Sequence, residues 1–317
     1  MTLARNRRST FPALKRPHQK PTHKALGRGS RFNIGRGWRR LAPAILCSLP
    51  LLTTGPAHAC GLTTDCTTSQ GSYRVSAPAG WDGRSAISVA LFFHGWQQSA
   101  SDVVRDPALV EAFSRLGVLL VAVDGRGKTW SFPGSPMSLR DDIAFVDEVL
   151  NDVERRYPVD RRLVWATGFS QGGSMTWALA CLGGRRFTAF VPVAGAFWQP
   201  LPETCPSGPA DIYHIHGTAD GTVPMAGRAI GTRFRQGDVQ AGMAVWRRLN
   251  GCGSDATPAR EGELVCTTPK ACRGDRELQL CLHDGGHEFS PGWLAQAYAF
   301  VRRVAERKRL APEPQPR

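Results

Sequence analysis

Residues 162–174 read RLVWATGFSQGGS, and this stretch decides which fold the sequence is expected to adopt. An apolar run typical of a buried strand ends at Gly168, and a helical pattern begins at Gln171. Between them lies a pentad of the form G-x-S-x-G, centred on Ser170. In a strand–turn–helix context this pentad predicts a nucleophile elbow, in which a strained serine stands above the sheet edge.

The alternative is an ordinary glycine-rich turn in which Ser170 only caps the following helix. The strand before the pentad and the helix after it favour the catalytic interpretation. At a helix N-terminus the free N–H of Gln171 and the helix dipole would stabilise a developing oxyanion. Ser170 is therefore the predicted nucleophile, and Gln171 is a predicted donor of an oxyanion hole.

Strand and helix patterns alternate on both sides of the pentad, which predicts βαβ crossovers. We expect an α/β fold whose central sheet is mostly parallel and covered by helices on both faces. Strands are predicted over 85–93, 118–125, 162–168, 190–195, 211–217 and 277–284. Helices are predicted over 107–117, 140–157, 171–182, 239–250 and 293–307, and a disulfide-pinned excursion over 251–276.

A serine hydroxyl needs a general base to act as a nucleophile at neutral pH. His287 lies in the glycine-rich loop after the last predicted strand, from which its side chain can reach over the sheet edge. His283 still belongs to the strand pattern and is predicted to be structural. The base in turn needs a carboxylate that fixes its tautomer.

Asp220 is the predicted carboxylate, because it follows the strand 211–217 and gives the chain order Ser, Asp, His of α/β-hydrolases. Asp284 is a rival, although it is only three residues from His287. Asp211 begins a strand and is expected at the wrong end of the sheet.

The second oxyanion donor is expected after the strand 85–93, in the turn His94-Gly95-Trp96. The backbone N–H of Trp96 is the predicted donor, with that of Gly95 as the alternative, and His94 is expected to brace the loop. Tryptophans near strand ends are candidates for lining an aromatic or sugar-binding cleft: Trp96, Trp130, Trp198 and Trp293.

No metal or cofactor is predicted. His214 and His216 alternate on a strand, and His283 and His287 are four residues apart, but neither pair has an obvious third ligand. The expected partner is a small or oligomeric ester substrate.

Positive charge is concentrated near the start of the chain. Residues 1–59 hold twelve Lys and Arg side chains and no acidic ones, so the net charge of +14 falls to +2 for residues 60–317. The overall basicity therefore does not indicate nucleic-acid binding.

The same segment resembles an export signal. A basic stretch, 35–40, precedes an apolar run, 41–54, that is short for a membrane span, and Ala57-His58-Ala59 fits a cleavage site. We predict an export signal with a basic n-region over 1–59, a single catalytic domain over 60–310 and a flexible tail over 311–317. The mature protein is then secreted or periplasmic, without stable membrane insertion, as a monomer or small homo-oligomer. A lipid anchor on Cys60 is the alternative.

Nine cysteines occur in the chain, and eight of them follow the signal. An even number in an exported chain predicts disulfides. The predicted pairs are Cys60–Cys66, Cys181–Cys205, Cys252–Cys281 and Cys266–Cys272.

Seven stretches in combination resemble the polyhydroxybutyrate depolymerase/feruloyl esterase-like group of α/β-hydrolases. They are FFHGWQQSASD (92–102), VDGRG (123–127), RDDIAFVDEVL (140–150), ATGFSQGGSMTWALAC (166–181), FVPVAG (190–195), HIHGTADGTVP (214–224) and GGHEFSPGW (285–293). The resemblance covers about residues 71–305. It implies a secreted serine esterase with Ser170 as nucleophile, His287 as base, Asp220 as orienting acid and the Trp96 turn as oxyanion donor.

Two departures from the group lie beside the site. His-Gly-Trp stands where many relatives have His-Gly-Cys, and Gly-His-Glu-Phe-Ser-Pro stands where they often have Gly-His-x-Trp-Pro. We therefore expect ester hydrolysis, with the preferred substrate left open among hydroxybutyrate, feruloyl and acetyl-xylan esters. A serine peptidase, an acyltransferase on the same triad and a non-catalytic hydrolase-like binding protein are the alternatives.

Overall fold

A computed structural model describes residues 60–254 and 256–310. The predicted export signal and the predicted tail lie outside this range. The strands are β1 Cys66–Thr67, β2 Ser72–Ser76, β3 Ile87–Phe93, β4 Val118–Val123, β5 Val159–Phe169, β6 Ala189–Val193, β7 Ile212–Gly217, β8 Arg228–Ile230, β9 Phe234–Gln236, β10 Ala256–Glu261, β11 Leu264–Pro269 and β12 Leu278–His283. The helices are α1 Ala100–Arg105, α2 Pro107–Arg115, α3 Asp142–Arg156, α4 Gln171–Leu182, α5 Val239–Leu249 and α6 Leu294–Leu310.

Ten of these strands form one sheet in the order β1-β2-β4-β3-β5-β6-β7-β12-β11-β10. The block from β4 to β12 is parallel. Strands β1 and β2 at one edge, and β11 and β10 at the other, pair antiparallel. The remaining two strands, β8 and β9, form a separate hairpin. The expected mostly parallel α/β sheet is confirmed.

Side chains of the central strands alternate between two apolar cores, as the two-residue period of a strand requires. In β3, Leu91 and Phe93 face the core that contains α3, α4 and α5, whereas Phe92 faces the core that contains α1, α2 and α6. All seven residues of β3 are buried. This two-sided burial explains why the strand reads as a continuous apolar run.

Parallel strands end at the same edge of the sheet, and three of those ends carry the predicted site. Ser170 follows β5, Asp220 follows β7, and His287 follows β12, and these three strands lie close together in the sheet order. The sheet topology therefore brings together residues that are up to 117 positions apart in the chain.

Four disulfides join the eight cysteines of the described part. Cys60–Cys66 and Cys181–Cys205 confirm two of the predicted pairs. The other two predicted pairs, Cys252–Cys281 and Cys266–Cys272, are wrong, because the bonds are Cys252–Cys272 and Cys266–Cys281.

The register of the sheet explains the correction. Cys266 and Cys281 are directly opposite each other in the antiparallel pair β11–β12, so their side chains meet. The segment 251–276, predicted as an excursion, is mainly the hairpin that supplies β10 and β11 to the sheet.

In the amino-terminal pair, the Cys60 sulfur is bonded to Cys66, which leaves no thiol for the alternative of a lipid anchor.

None of the helices in residues 60–254 and 256–310 has the length and apolar character required to cross a bilayer.

Candidate active site

Ser170 stands in a strained turn between β5 and α4. Its φ of 60° and ψ of −119° lie in a region that residues with a side chain rarely adopt. The turn is held in place because the Ser170 N–H donates to the Val193 carbonyl at 3.0 Å. A strained serine fixed at a strand–helix junction is the geometry that the pentad predicted.

The glycines of the pentad are required by close backbone approach. A Cβ on Gly172 would meet the carbonyl oxygen of Phe93, and a Cβ on Gly168 would meet those of Phe93 and Gly172. Helix α4 therefore begins against the end of β3 with no room for a side chain. This proximity brings the end of β3 and its following turn beside Ser170.

His287 reaches Ser170 from the loop between β12 and α6. The Ser170 hydroxyl lies 2.8 Å from His287 Nε2, to which it can donate. The imidazole packs on the ring of Phe169, with centroids 4.8 Å apart. Packing and hydrogen bonding thus hold the imidazole with Nε2 directed at the hydroxyl.

Asp220 lies on the other side of the imidazole. Its Oδ2 is 2.7 Å from His287 Nδ1, so an ionised Asp220 fixes the tautomer with the proton on Nδ1. Oδ1 accepts the N–H groups of Val223 at 2.7 Å and Thr222 at 2.8 Å. Burial alone would raise the pKa of Asp220, but the hydrogen bonds from His287 and these N–H groups hold it below its usual value.

The loops that carry Asp220 and His287 are joined by backbone hydrogen bonds. Thr218 N–H donates to the His283 carbonyl at 2.8 Å, and Ala219 N–H donates to the Gly285 carbonyl at 3.1 Å. Because both loops are tied together at their bases, the separation of the carboxylate and the imidazole is fixed by the backbone.

Two buried histidines support the acid loop from below, a role that the sequence analysis did not assign. His214 Nε2 and His216 Nδ1 are 3.0 Å apart, and His216 Nε2 donates to the Val223 carbonyl at 2.7 Å. That bond requires the proton of neutral His216 on Nε2, so His214 Nε2–H donates to His216 Nδ1. His214 Nδ1 then accepts the indole N–H of Trp177 at 3.3 Å, and its 3.0 Å contact with the Pro192 carbonyl oxygen has no proton in this arrangement.

Burial lowers the pKa of both histidines, which keeps them neutral and suits this chain of donors. In the sequence this pair is visible as the alternation of His214 and His216 on one strand. In the structure both side chains point into the core and form a chain of hydrogen bonds there. Within the described residues, no group of three or more His, Cys, Asp or Glu side chains is arranged to hold a metal ion.

The predicted oxyanion donors lie beside Ser170. The N–H of Gly95 is committed to Gln98 Oε1 at 2.8 Å, which removes it as the alternative donor. The N–H groups of Trp96 and Gln171 have no acceptor among residues 60–254 and 256–310. These two N–H groups are therefore free to bind an oxyanion.

His94 braces this turn, as expected. Its Nδ1 is 2.8 Å from the Gly95 carbonyl, and its Nε2 accepts the Gly125 N–H at 3.0 Å. Burial lowers the pKa of His94, so the neutral form required for this bridge is favoured. The indole N–H of Trp130 donates to the His94 carbonyl at 2.8 Å.

Ser170 and His287 open into a cleft of about 520 Å³, within the usual range for small-molecule sites. Of the four candidate tryptophans, Trp96 and Trp198 line it, with Trp96 65% exposed at its rim. Trp130 and Trp293 are buried and do not line it. The cleft also contains Arg228, which sequence reasoning missed.

The residues considered as rivals lie elsewhere. Asp211 is buried at the start of β7, at the opposite end of the sheet, where it pairs with Arg276, Arg307 and Lys308. The His283 ring packs on Trp293 with centroids 4.6 Å apart, and its Nδ1 accepts the Gly285 N–H at 3.1 Å. The Ser170–His287–Asp220 chain is thus a hydroxyl, a base and an acid in mutual hydrogen bonding beside an open cleft.

The known proteins that are similar in sequence to this chain include esterases. The chain is 30% identical over 247 residues to “Putative esterase NocK” of Nocardia uniformis subsp. tsuyamanensis, and the aligned region covers 71% of each chain. It is 27% identical over 229 residues to a probable feruloyl esterase C of Aspergillus clavatus, which covers 69% of this chain and 76% of the relative. No family model matches the chain.

Among solved structures, the fold is similar to that of an acetyl xylan esterase from Aspergillus awamori. The TM-score is 0.53 at 13% identity, over 72% of this chain and 94% of the other. At this sequence identity the similarity concerns the fold alone, and this fold is the α/β-hydrolase fold.

Proposed function

We propose, from the premise that the chain belongs to the esterase family of the α/β-hydrolase superfamily, that this carboxylic-ester hydrolase works through an acyl-enzyme on Ser170. The observation that carries the proposal is the unbroken hydrogen-bond chain from Ser170 through His287 to Asp220. Its three residues lie at the carboxyl ends of neighbouring or nearby parallel strands, beside the open cleft.

Acylation begins when the Ser170 oxygen attacks the ester carbonyl carbon and His287 Nε2 takes the hydroxyl proton. The imidazolium that forms is stabilised by ionised Asp220, whose low pKa keeps the charge in place. The carbonyl oxygen becomes an oxyanion and accepts the free N–H groups of Trp96 and Gln171. His287 then gives its proton to the alcohol oxygen as the ester bond breaks.

Deacylation repeats the same steps with water as the nucleophile. Neutral His287 removes a proton from water, and the hydroxide adds to the acyl carbon of the Ser170 ester. Collapse of the second tetrahedral intermediate releases the carboxylic acid and returns the proton to the Ser170 oxygen. Serine and histidine are thereby restored.

The substrate class that we propose is an ester of the hydroxybutyrate, feruloyl or acetyl-xylan type. The name of the Aspergillus relative supports the feruloyl type. The exposed Trp96 ring at the cleft rim offers a face on which an aromatic or sugar group can stack. Export of the protein is part of the proposal, and the four disulfides support it because such bonds persist in oxidising compartments.

The test is hydrolysis of a panel by the purified protein: 4-nitrophenyl acetate and butyrate, methyl ferulate, acetylated xylan and hydroxybutyrate oligomers. We expect cleavage of at least one of these esters, with the preferred member identifying the class, and no cleavage by Ser170→Ala. Cleavage that persists in Ser170→Ala contradicts the assigned nucleophile. Turnover of peptides or acyl transfer to alcohols, without ester hydrolysis, would favour the alternatives on the same three residues.

A further inference from the structure

The active-site cleft contains a single formally charged group. Among the residues that line the cleft in the described part of the chain, Arg228 alone has a permanent charge, and none is acidic. The apolar part of the lining includes Met137, Phe169 and Ile230. A cation facing a mostly apolar cleft is costly to desolvate unless an anion accompanies it when the cleft is filled.

Arg228 is held in a defined orientation by a buried partner. Its Nε donates to Gln236 Oε1 at 3.0 Å, and Gln236 is only 7% exposed. The two residues are directly opposite each other in the hairpin β8–β9. Because the bond uses Nε and a neutral acceptor, the terminal N–H groups of the guanidinium and its full charge stay available.

The hairpin is attached on both sides to the walls of the site. Gly227 N–H donates to the Pro224 carbonyl at 2.7 Å, directly after the loop that carries Asp220. On the other side, Gly237 N–H donates to the Phe197 carbonyl at 2.8 Å, next to Trp198 in the cleft wall. The backbone that carries Arg228 is therefore tied to both walls of the site, and the exposed side chain is oriented by its bond to Gln236.

Arg228 has no carboxylate partner among residues 60–254 and 256–310. Arg140 and Arg276, by contrast, pair with Asp142 and Asp211, whereas the neighbouring Arg235, outside the cleft lining, also has no carboxylate partner in the described part of the chain. An oriented guanidinium without a counter-ion, in the wall of a substrate cleft, is suited to binding a carboxylate through two parallel N–H···O bonds.

We propose that Arg228 binds a free carboxylate of the substrate, so that the preferred esters carry a second, unesterified carboxyl group. This inference rests on the proposed ester hydrolysis and narrows its substrate class. The carboxylate can belong to the acyl part, as in a half-ester of a dicarboxylic acid, or to the alcohol part, as in an ester of a hydroxy acid. Both sources present the same anion to Arg228.

The test compares matched anionic and neutral esters in two arms. The acyl arm uses mono-4-nitrophenyl adipate against 4-nitrophenyl hexanoate, and the alcohol arm uses 4-acetoxybenzoate against 4-acetoxybenzamide. The measured quantity is the ratio of kcat/KM for the anionic ester to that for the neutral ester. A ratio taken on one preparation is independent of the fraction of folded enzyme.

We expect the native enzyme to prefer the anionic ester by about tenfold or more in one arm, which identifies the source of the carboxylate. Arg228→Gln should bring that ratio close to one. Arg235→Gln is the matched control, because it removes the same charge from the same hairpin. Arg235 pairs with Ala229, one position along from the Arg228–Gln236 pair, and so lies on the other face.

Three results would overturn the inference. One is a native ratio of one or less in both arms, with good turnover of the neutral esters. Another is a preference for the anionic ester that survives Arg228→Gln or is lost equally in Arg235→Gln. The third is no turnover of any of the four esters by a preparation that cleaves a member of the ester panel above, which overturns the inference alone; only inactivity on that panel as well would contradict the proposed function.

Discussion

The hydroxyl of Ser170 lies 2.8 Å from Nε2 of His287, although 117 residues separate them in the sequence. The contact exists because β5 and β12 end at the same edge of a parallel sheet and each is followed by a loop that turns over that edge. The hydrogen bond to His287 and the strained backbone of Ser170 are independent features of the structure. Both favour a nucleophilic serine.

Asp220→Asn should lower kcat by about 10³–10⁴-fold without unfolding the protein, because an amide no longer holds the proton on Nδ1 of His287. Asp284→Asn is the matched control, since Asp284 is an exposed acid in the loop that carries His287. It should change kcat by less than about threefold. Steady-state rates on 4-nitrophenyl acetate measure both, and a larger loss in Asp284→Asn would identify Asp284 as the acid.

Trp96→Pro should lower kcat by about 10²–10³-fold, because proline lacks the N–H that we assign to the oxyanion hole. Trp96→Ala keeps that N–H and should lose far less on a small acetate ester. The comparison separates the backbone donor from the indole ring. Equal losses in the two variants would mean that the ring, and not the N–H, matters for turnover.

Gly172→Ala should destabilise the protein by about 3 kcal/mol or more, since its Cβ would overlap the carbonyl of Phe93. Gly221→Ala is a fair control, because a Cβ there meets nothing within 4 Å. It should change the free energy of unfolding by less than about 0.5 kcal/mol. Denaturant titration of both variants gives the difference, and similar midpoints would argue against the close approach of α4 to β3.

Stability should fall as the pH is lowered from 7 towards 5.5. Burial lowers the pKa of His94, His214 and His216 in the folded state, so the unfolded chain binds more protons in this range. Their contribution to the free energy of unfolding is complete when the pH is above about 6.5, the pKa of histidine in the unfolded chain. Below that pH the contribution decreases by up to about 1.4 kcal/mol per pH unit for each histidine. Urea titrations at several pH values measure the slope, and constant or rising stability on acidification would be inconsistent with neutral buried histidines.

The main strands and helices could be predicted because their apolar periodicities are set by burial. Helix α4 was predicted over 171–182, where the structure has it, since the glycines of the pentad mark its start. The proximity of Ser170, Asp220 and His287 could also be predicted, because loops that follow parallel strands lie at one edge of the sheet.

Features that depend on register or on very short elements could not be predicted. The pairing of Cys266 with Cys281 follows from a strand register that the cysteine spacing does not contain. Strands β8 and β9 have three residues each, too few for a periodicity, so the hairpin that places Arg228 in the cleft gave no signal. The hydrogen-bonded pair of His214 and His216 was visible only as an alternation on a strand, for which a metal site lacked a third ligand.

The most direct test of the central claim is the reaction of the native protein with a serine-directed fluorophosphonate, followed by intact-mass and peptide mass spectrometry. An activated Ser170 predicts one adduct per chain, located on the peptide that contains Ser170, and none in Ser170→Ala. His287→Ala should label far more slowly, because the base that activates the hydroxyl is removed. No adduct on the native protein, or an adduct that persists in Ser170→Ala, would contradict the account.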